Sequence, residues 1–265
     1  MLCFPQLASG AAIQFPSTKR ALQRTVVNQL LDGSEVKLFD PRACTTEWEI
    51  SLAALTAAEW SAMAALFEAA QGQLGSFTLL DPFGNLLRWS EAPGAAAWVK
   101  DGGLALTAGL ADPLGGMGAT SCQNTSGSTQ NIAQTAGVPS EYEYCLSVYA
   151  RSDTAGQVTA FVSAGMESAG KSFATGPAWS RVALTARLGT QQDTTTFGVA
   201  IPGGATVELF GFQAEAQAGA SSYKKSSAQS GVYANASFVG DVLTMTSDAP
   251  GIFSCPVRIR ANAAG

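Results

Sequence analysis

Along most of this chain apolar and polar positions alternate with a period of two, and a helical period takes over only once. Trp48, Ile50 and Leu52 alternate with Glu47, Glu49 and Ser51, which predicts a strand with one face in a core and the other in water. Phe253, Cys255, Val257 and Ile259 repeat the pattern near the other end, with Arg258 and Arg260 facing out, so Phe238–Met245 and Ile252–Arg260 read as two strands. The runs Thr25–Leu31 and Glu35–Phe39 flank Asp32-Gly33-Ser34 and read as a hairpin closed by an Asp-Gly turn. The helix opens at Thr56, whose hydroxyl can accept from the first-turn amides while Glu59 reaches back to the cap. Trp60, Met63, Ala64 and Phe67 supply its apolar stripe and Gly72 its stop, giving a helix over 57–71. A strand at Ser76–Leu80 then meets Asp81-Pro82-Phe83-Gly84-Asn85, where Pro presets one dihedral and Gly is available for positive φ, and Leu86–Trp89 is expected to return antiparallel.

After Gly94 the texture changes to short alternating runs separated by Gly, Ser, Thr and Asn. Tyr142, Tyr144, Leu146 and Val148 mark one inward face, and Val158–Ser163, Arg181–Ala186, Thr196–Ile201 and Val207–Phe212 read as further strands. That spacing is the spacing of a β-sandwich or jelly roll. The fold class expected is mainly β, in two modules, which also suits a chain of 265 residues, longer than most single domains.

Composition narrows the chemistry. Hydrophobic residues make up 46% and charged residues 13%, enough to build a core and too apolar for a disordered chain. No apolar stretch approaches the roughly 18 residues of a membrane helix, and MLCFPQLASG lacks the basic region and apolar core of a secretory signal, so export by that route is not expected. A net charge of -5, with basic clusters no larger than Lys19, Arg20 and Arg24 or Lys224 and Lys225, argues against specific nucleic-acid binding. Cys3, Cys44, Cys122, Cys145 and Cys255 are widely spaced, with no pair at metal or redox spacing, and read as reduced. There is no histidine, which removes most hydrolase triads and most zinc sites together. No catalytic, cofactor-binding or metal-ligating residue is assigned, no cofactor is expected, and the chain is not expected to be an enzyme.

Several strings invite a sharper reading. Gly165-Met166-Glu167-Ser168-Ala169-Gly170-Lys171-Ser172 fits the phosphate-cradling P-loop spacing, but a working P-loop opens a helix, and the Gly176-Pro177 that follows forbids one. A hairpin turn is expected there. Glu47 and Glu49, a carboxylate pair on one strand face, read as solvated side chains rather than a glycosidase acid and base. Asn124-Thr125-Ser126 and Asn235-Ala236-Ser237 match the glycosylation sequon and read as polar loops, and Trp98 as a core residue rather than a sugar platform.

Two stretches resemble known families. Residues 1–94, through LFDPRACTTEWEISLAALTAAEWSAMAALFEAAQGQLGSFTLLDPFGN, resemble the N-terminal part of distal tail proteins of long-tailed phages and related gene transfer agents, sharing the Trp strand, the Leu-Thr-x-x-Glu helix start and the Phe strand running into Asp-Pro. VELFGFQAEAQAGASSYKKS resembles the closing strand of carbohydrate-binding-module-like jelly rolls, with Gly211, Gln213, Glu215, Ser222 and Tyr223 on the shared positions, and NTSGSTQNI, YCLSVYAR and AWSRVAL fit the same pattern. The resemblance implies a β-barrel-like ring domain from 1–94 and 231–265, holding the helix, with a peripheral jelly-roll, galectin-like sandwich over 95–230. It implies a structural protein of the virion, made in the host cytoplasm: a ring, expected to be a hexamer, that joins the tail-tube protein to the tail hub or tip and to receptor-binding proteins at the baseplate. The alternatives are a carbohydrate-binding adhesin of a tail fibre, with a surface glycan as partner, and a tail-associated cell-wall hydrolase. No sugar-contacting residue is carried over.

Overall fold

The computed structural model describes residues 1–262. The chain is mainly β, with one α-helix among the described residues, and divides into two compact units. Met1–Leu7, Ile13–Leu79 and Tyr233 onward form the first unit; Ala8–Ala12 and Leu80–Val232 form the second. In chain order the elements are β1 (Ser17–Gln29), β2 (Glu35–Thr56), α1 (Ala57–Ala69) and β3 (Phe77–Leu80), followed by β4 (Val99–Lys100), β5 (Leu104–Leu110), β6 (Ala119–Asn124), β7 (Gln130–Ala136), β8 (Glu143–Arg151), β9 (Gly156–Ala164), β10 (Glu167–Thr175), β11 (Ser180–Arg187), β12 (Thr195–Ile201) and β13 (Thr206–Glu215). The chain closes with β14 (Val232–Phe238), β15 (Thr246–Ala249) and β16 (Ile252–Asn262).

In the first unit one sheet runs β1-β2-β16-β14-β3, with β15 beside β16. The alternation seen in the sequence sets its register: Trp48 lies opposite Ile259, Ile50 opposite Val257 and Leu52 opposite Cys255, all facing the core. Trp48 meets Tyr233 edge-on at 4.7 Å, and Phe77 packs on Phe238 at 4.8 Å. Both halves of the helix cap are present, with Glu59 N donating to Thr56 Oγ1 at 3.3 Å and Thr56 N to Glu59 Oε2 at 2.8 Å. The stripe that α1 buries is Met63, Leu66 and Ala70, flanked by the half-buried Trp60 and Phe67. Leu66 replaces Ala64 in the expected stripe, and the helix ends at Ala69 because Gln71 and Gly72 both take the left-handed conformation.

On the opposite face of that sheet the charges interlock. Arg260 contacts the Glu47 carboxylate at 2.6 Å, Arg258 lies 3.6 Å from Glu49, and Arg20 donates to Glu49 at 3.1 Å. Glu47 is therefore buried, not solvated as the alternation alone suggests, since arginines from β16 close over it.

The second unit stacks two five-stranded sheets, β10-β9-β12-β7-β4 and β11-β8-β13-β6-β5, in a jelly-roll sandwich. Tyr144, Leu146, Val148, Val158, Val162 and Phe197 fill it, and Trp98 is a core residue, 4.5 Å from Phe212. The boundary between the units falls at Leu79/Leu80 rather than at Gly94. Leu86–Trp89 does not return along β3. Leu86 and Leu87 are buried in the second unit, where Asn85 Nδ2 donates to Phe212 O at 2.8 Å and Asn85 Oδ1 accepts from Leu87 N and Ala214 N, each at 3.1 Å. The return to the first unit comes at Tyr233, two residues past the expected Gly231, and its first strand is Val232–Phe238 instead of Phe238–Met245. Only the first sequon runs into a loop: Asn124, buried at the end of β6, donates to Ile201 O at 2.9 Å and Ser128 O at 2.8 Å and Thr125-Ser126 follow it into the bend, whereas Asn235-Ala236-Ser237 lies within β14. Among the described residues no helix is long and apolar enough to cross a membrane.

Candidate functional site

Three surfaces stand out in the structure: the β1–β2 hairpin, the Gly-x-Gln-x-Glu segment, and the open face of the jelly roll. The hairpin turn is built locally. Leu30 N donates to Ser34 O at 2.8 Å, Gly33 takes a φ of 82°, and Ser34 donates twice to Asp32 Oδ1, holding that carboxyl below the usual range. Pairing of β2 with β16 is described as far as Thr45/Asn262, and β1 pairs with β2 from Arg24/Asp40 to Gln29/Glu35. Among the described residues the two strands pair there only with each other, as a ribbon.

Paired residues share a face of such a ribbon. One face carries Val26, Val36 and Leu38, the other Val27 and Phe39, and the tip carries Leu30 and Leu31. Phe39 is 58% exposed, Leu38 53%, and Leu31 wholly so. An isolated hairpin is marginal in water, and this one exposes apolar side chains on both faces. Among the described residues the outer edge of β1 is also the end of its sheet.

The Gly-x-Gln-x-Glu motif is a clasp. Buried Gln213 accepts from Lys224 N at 2.6 Å and donates to Ser222 O at 3.3 Å. Glu215, also buried, accepts from Ser221 N at 3.0 Å, Ser221 Oγ at 2.6 Å and Lys224 Nζ at 2.8 Å. Gly211 has a φ of 66°, and a Cβ there would lie 3.0 Å from the Tyr223 ring. These residues strap 221–224 over the outer face of β13, so their shared spacing has a structural role. The P-loop string is, as its context implies, a hairpin: Ala164 pairs with Glu167 across Gly165-Met166, and Lys171 lies in β10 with its ammonium 5.4 Å from the Phe173 ring.

The outward positions of β7, β9, β10 and β12 carry no charge. Register and burial place Thr135, Thr196, Ser163 and Ser168 in one row, and Ser172 beside Thr159 in another, with Thr135 bonded to Thr196 at 2.8 Å and Thr159 to Ser172 at 2.7 Å. Between the rows Phe161 covers Gly198, where a Cβ would come 2.5 Å from Phe161 Cζ. Sequence reasoning missed this platform, because the glycine and the ring are 37 residues apart and meet only through strand pairing. Among the described residues no three His, Cys, Asp or Glu side chains converge to hold a metal ion.

Fold and surfaces together define a two-unit, mainly β protein with a jelly-roll sandwich and an exposed, largely apolar two-stranded ribbon. No family model matches the chain. No curated protein matches it. Among solved structures it is similar to the enzymatically active domain of bacteriophage CBA120 tailspike protein 4, at 12% identity and a TM-score of 0.42 over 52% of this chain and 22% of that one. It is similar to TmCBM61 in complex with β-1,4-galactotriose at 12% identity and a TM-score of 0.40, over 49% of this chain and 97% of that one. The C-terminal family 22 carbohydrate-binding module of Clostridium thermocellum Xyn10B gives 13% identity and a TM-score of 0.42, over 52% of this chain and 96% of that one.

Proposed function

We propose that this chain is a structural protein of a phage tail that works by assembly rather than catalysis: its first unit joins copies of itself into a ring, and its jelly roll stands as an accessory module that engages a surface glycan. The ribbon carries this reading. Burying a half-exposed apolar side chain contributes about 1 kcal/mol, so the ribbon's apolar residues supply on the order of 5 to 10 kcal/mol per subunit before the cost of association. A neighbouring copy is the partner that both faces and the outer β1 edge suit. In the virion such a ring sits between the tail tube and the hub, and an acidic chain lets DNA pass without holding it.

Mass photometry and multi-angle scattering of the full chain test the assembly. Closed oligomers are expected, alone or with a tail-tube protein, and Leu31→Ser with Phe39→Ser should give monomers that melt as the parent does. A chain that stays monomeric in both settings sinks the ring.

The adhesin reading, in which glycan binding is the principal activity, draws support from the uncharged, hydroxyl-lined face around Phe161, since an aromatic ring amid hydroxyls suits a sugar. A glycan array tests it, and an array without a hit would remove it.

A further inference from the structure

At one end of the sandwich a cleft of about 400 Å³ lies between the β8–β9 turn and the β12–β13 turn. That volume is within the usual range for small-molecule sites. Its floor is already satisfied, because the Ser152 hydroxyl donates to Thr154 O at 2.6 Å and is bonded to Thr175 at 2.8 Å. Its walls differ. Glu208 is held by Arg151 at 2.8 Å, and that guanidinium stacks 4.8 Å from the centre of the Trp179 ring, so this carboxylate is neutralised and fixed. The side chains of Asp153 and Gln157, both exposed, have no hydrogen-bond or ionic partner among the described residues and line the opening. Across from them Gly203 approaches the Gly127 backbone so closely that a Cβ would lie 2.5 Å from it, which leaves the β12–β13 turn as bare backbone.

The charge pattern decides the class of ligand. A cation would find one free carboxylate, too few for a hard metal, since the second is already paired. An anion would meet Asp153 unopposed. An apolar ligand would bury polar groups without partners. An uncharged polyol fits: its hydroxyls can donate to Asp153 and to Gln157 Oε1 and accept from Gln157 Nε2, while the Gly204 and Ala205 amides of the turn are already bonded to Ser126 O and Pro202 O.

We infer that this end cleft, and not the open face around Phe161, is the glycan site of the second unit, with Asp153 and Gln157 as its recognition residues. The inference rests on the proposed carbohydrate-binding role of that unit. The test is an array of capsular, lipopolysaccharide and β-1,4-linked oligosaccharides probed with the full chain, followed by calorimetry of the strongest hit against three variants. Asp153→Ala and Gln157→Ala should each weaken binding about tenfold, the loss of one or two hydrogen bonds, while Phe161→Ala leaves affinity unchanged. Both cleft residues are exposed, and an unchanged melting temperature separates lost binding from lost fold. Loss of binding in Phe161→Ala with full affinity in both cleft variants overturns the cleft and leaves the carbohydrate-binding role standing. An array with no hit overturns both.

Discussion

Gly84 and Gly231 meet backbone to backbone: a Cβ on Gly84 would lie 2.9 Å from the Gly231 Cα, and one on Gly231 3.2 Å from the Gly84 Cα. Asp81 N donates to Gly231 O at 2.7 Å and Gly231 N to Asn85 O at 2.6 Å, so the chain enters and leaves the second unit side by side. Replacing residues 85–230 with a Gly-Ser linker of about four residues, spanning ~11 Å, should close this gap at small loop entropy. The shortened chain is expected to melt cooperatively, followed by circular dichroism. A broad, non-cooperative melt would mean that the first unit depends on the second.

The Glu215 clasp should make stability depend on acid. Burial alone would raise this carboxyl, but bonds from Lys224, Ser221 and Gln213 outweigh it and leave the pKa below the ordinary glutamate value. A folded value below the unfolded one stabilises the protein above the unfolded pKa, and that contribution disappears as the pH falls through the folded value. The melting temperature should therefore drop below about pH 4.5 more steeply in the parent than in Glu215→Gln. At neutral pH that variant should cost about 1–3 kcal/mol, because Lys224 loses its charged partner. Parallel pH profiles would exclude the clasp as the acid-sensitive element.

Gly198→Ala should be among the most damaging small substitutions in the jelly roll. Its Cβ would fall 2.5 Å from Phe161 Cζ, 2.7 Å from Ala133 Cβ and 2.8 Å from Ile132 O. Overpacking of this kind costs about 1–3 kcal/mol. Adding Phe161→Ala should recover only part of the loss in urea unfolding, since the β7 contacts remain. Full recovery would make the ring the sole obstacle.

All five cysteines are free of disulfides. Burial pushes the Cys122 thiol to about 12 and Cys255 to about 11, and raises Cys145 as well. In native protein at pH 8, Ellman's reagent should modify the half-buried Cys3 and Cys44 first and the other three only on unfolding, with five thiols released in denaturant. Fast reaction of Cys122 in native protein would show that the sandwich opens.

Local patterns were the legible part of this chain. The alternation at Trp48–Leu52 and Cys255–Ile259 encodes which side of a strand faces the core, and the Thr56–Glu59 cap needs only four residues. Leu86–Trp89 misleads because Leu86 N donates to Ala214 O, Trp89 N to Ser227 O and Arg88 N to Gln134 Oε1, partners 46 or more residues away. The ribbon's reach is hidden for another reason: β2 runs on through Pro41 without a break, and no local rule announces how far its described pairing with β16 extends. The Gly211–Tyr223 motif was visible as a pattern, but only the hydrogen bonds of Gln213 and Glu215 show that it fastens the chain to itself. Nothing in the sequence joins Asp153 to Gly203, which come together at turns fifty residues apart.

The interlocked charges on the outer face of the first sheet have an electrical consequence. Arg20, Arg258 and Arg260 interleave with Glu47 and Glu49 within a few ångströms, three positive charges against two negative, so most of the field cancels and one positive charge is left over. A macroion drifting toward that face feels little pull until it is closer than about 8 Å, the screening distance at physiological salt. The face is quiet at range and only faintly basic at contact, a surface that does little to recruit or repel what moves past it.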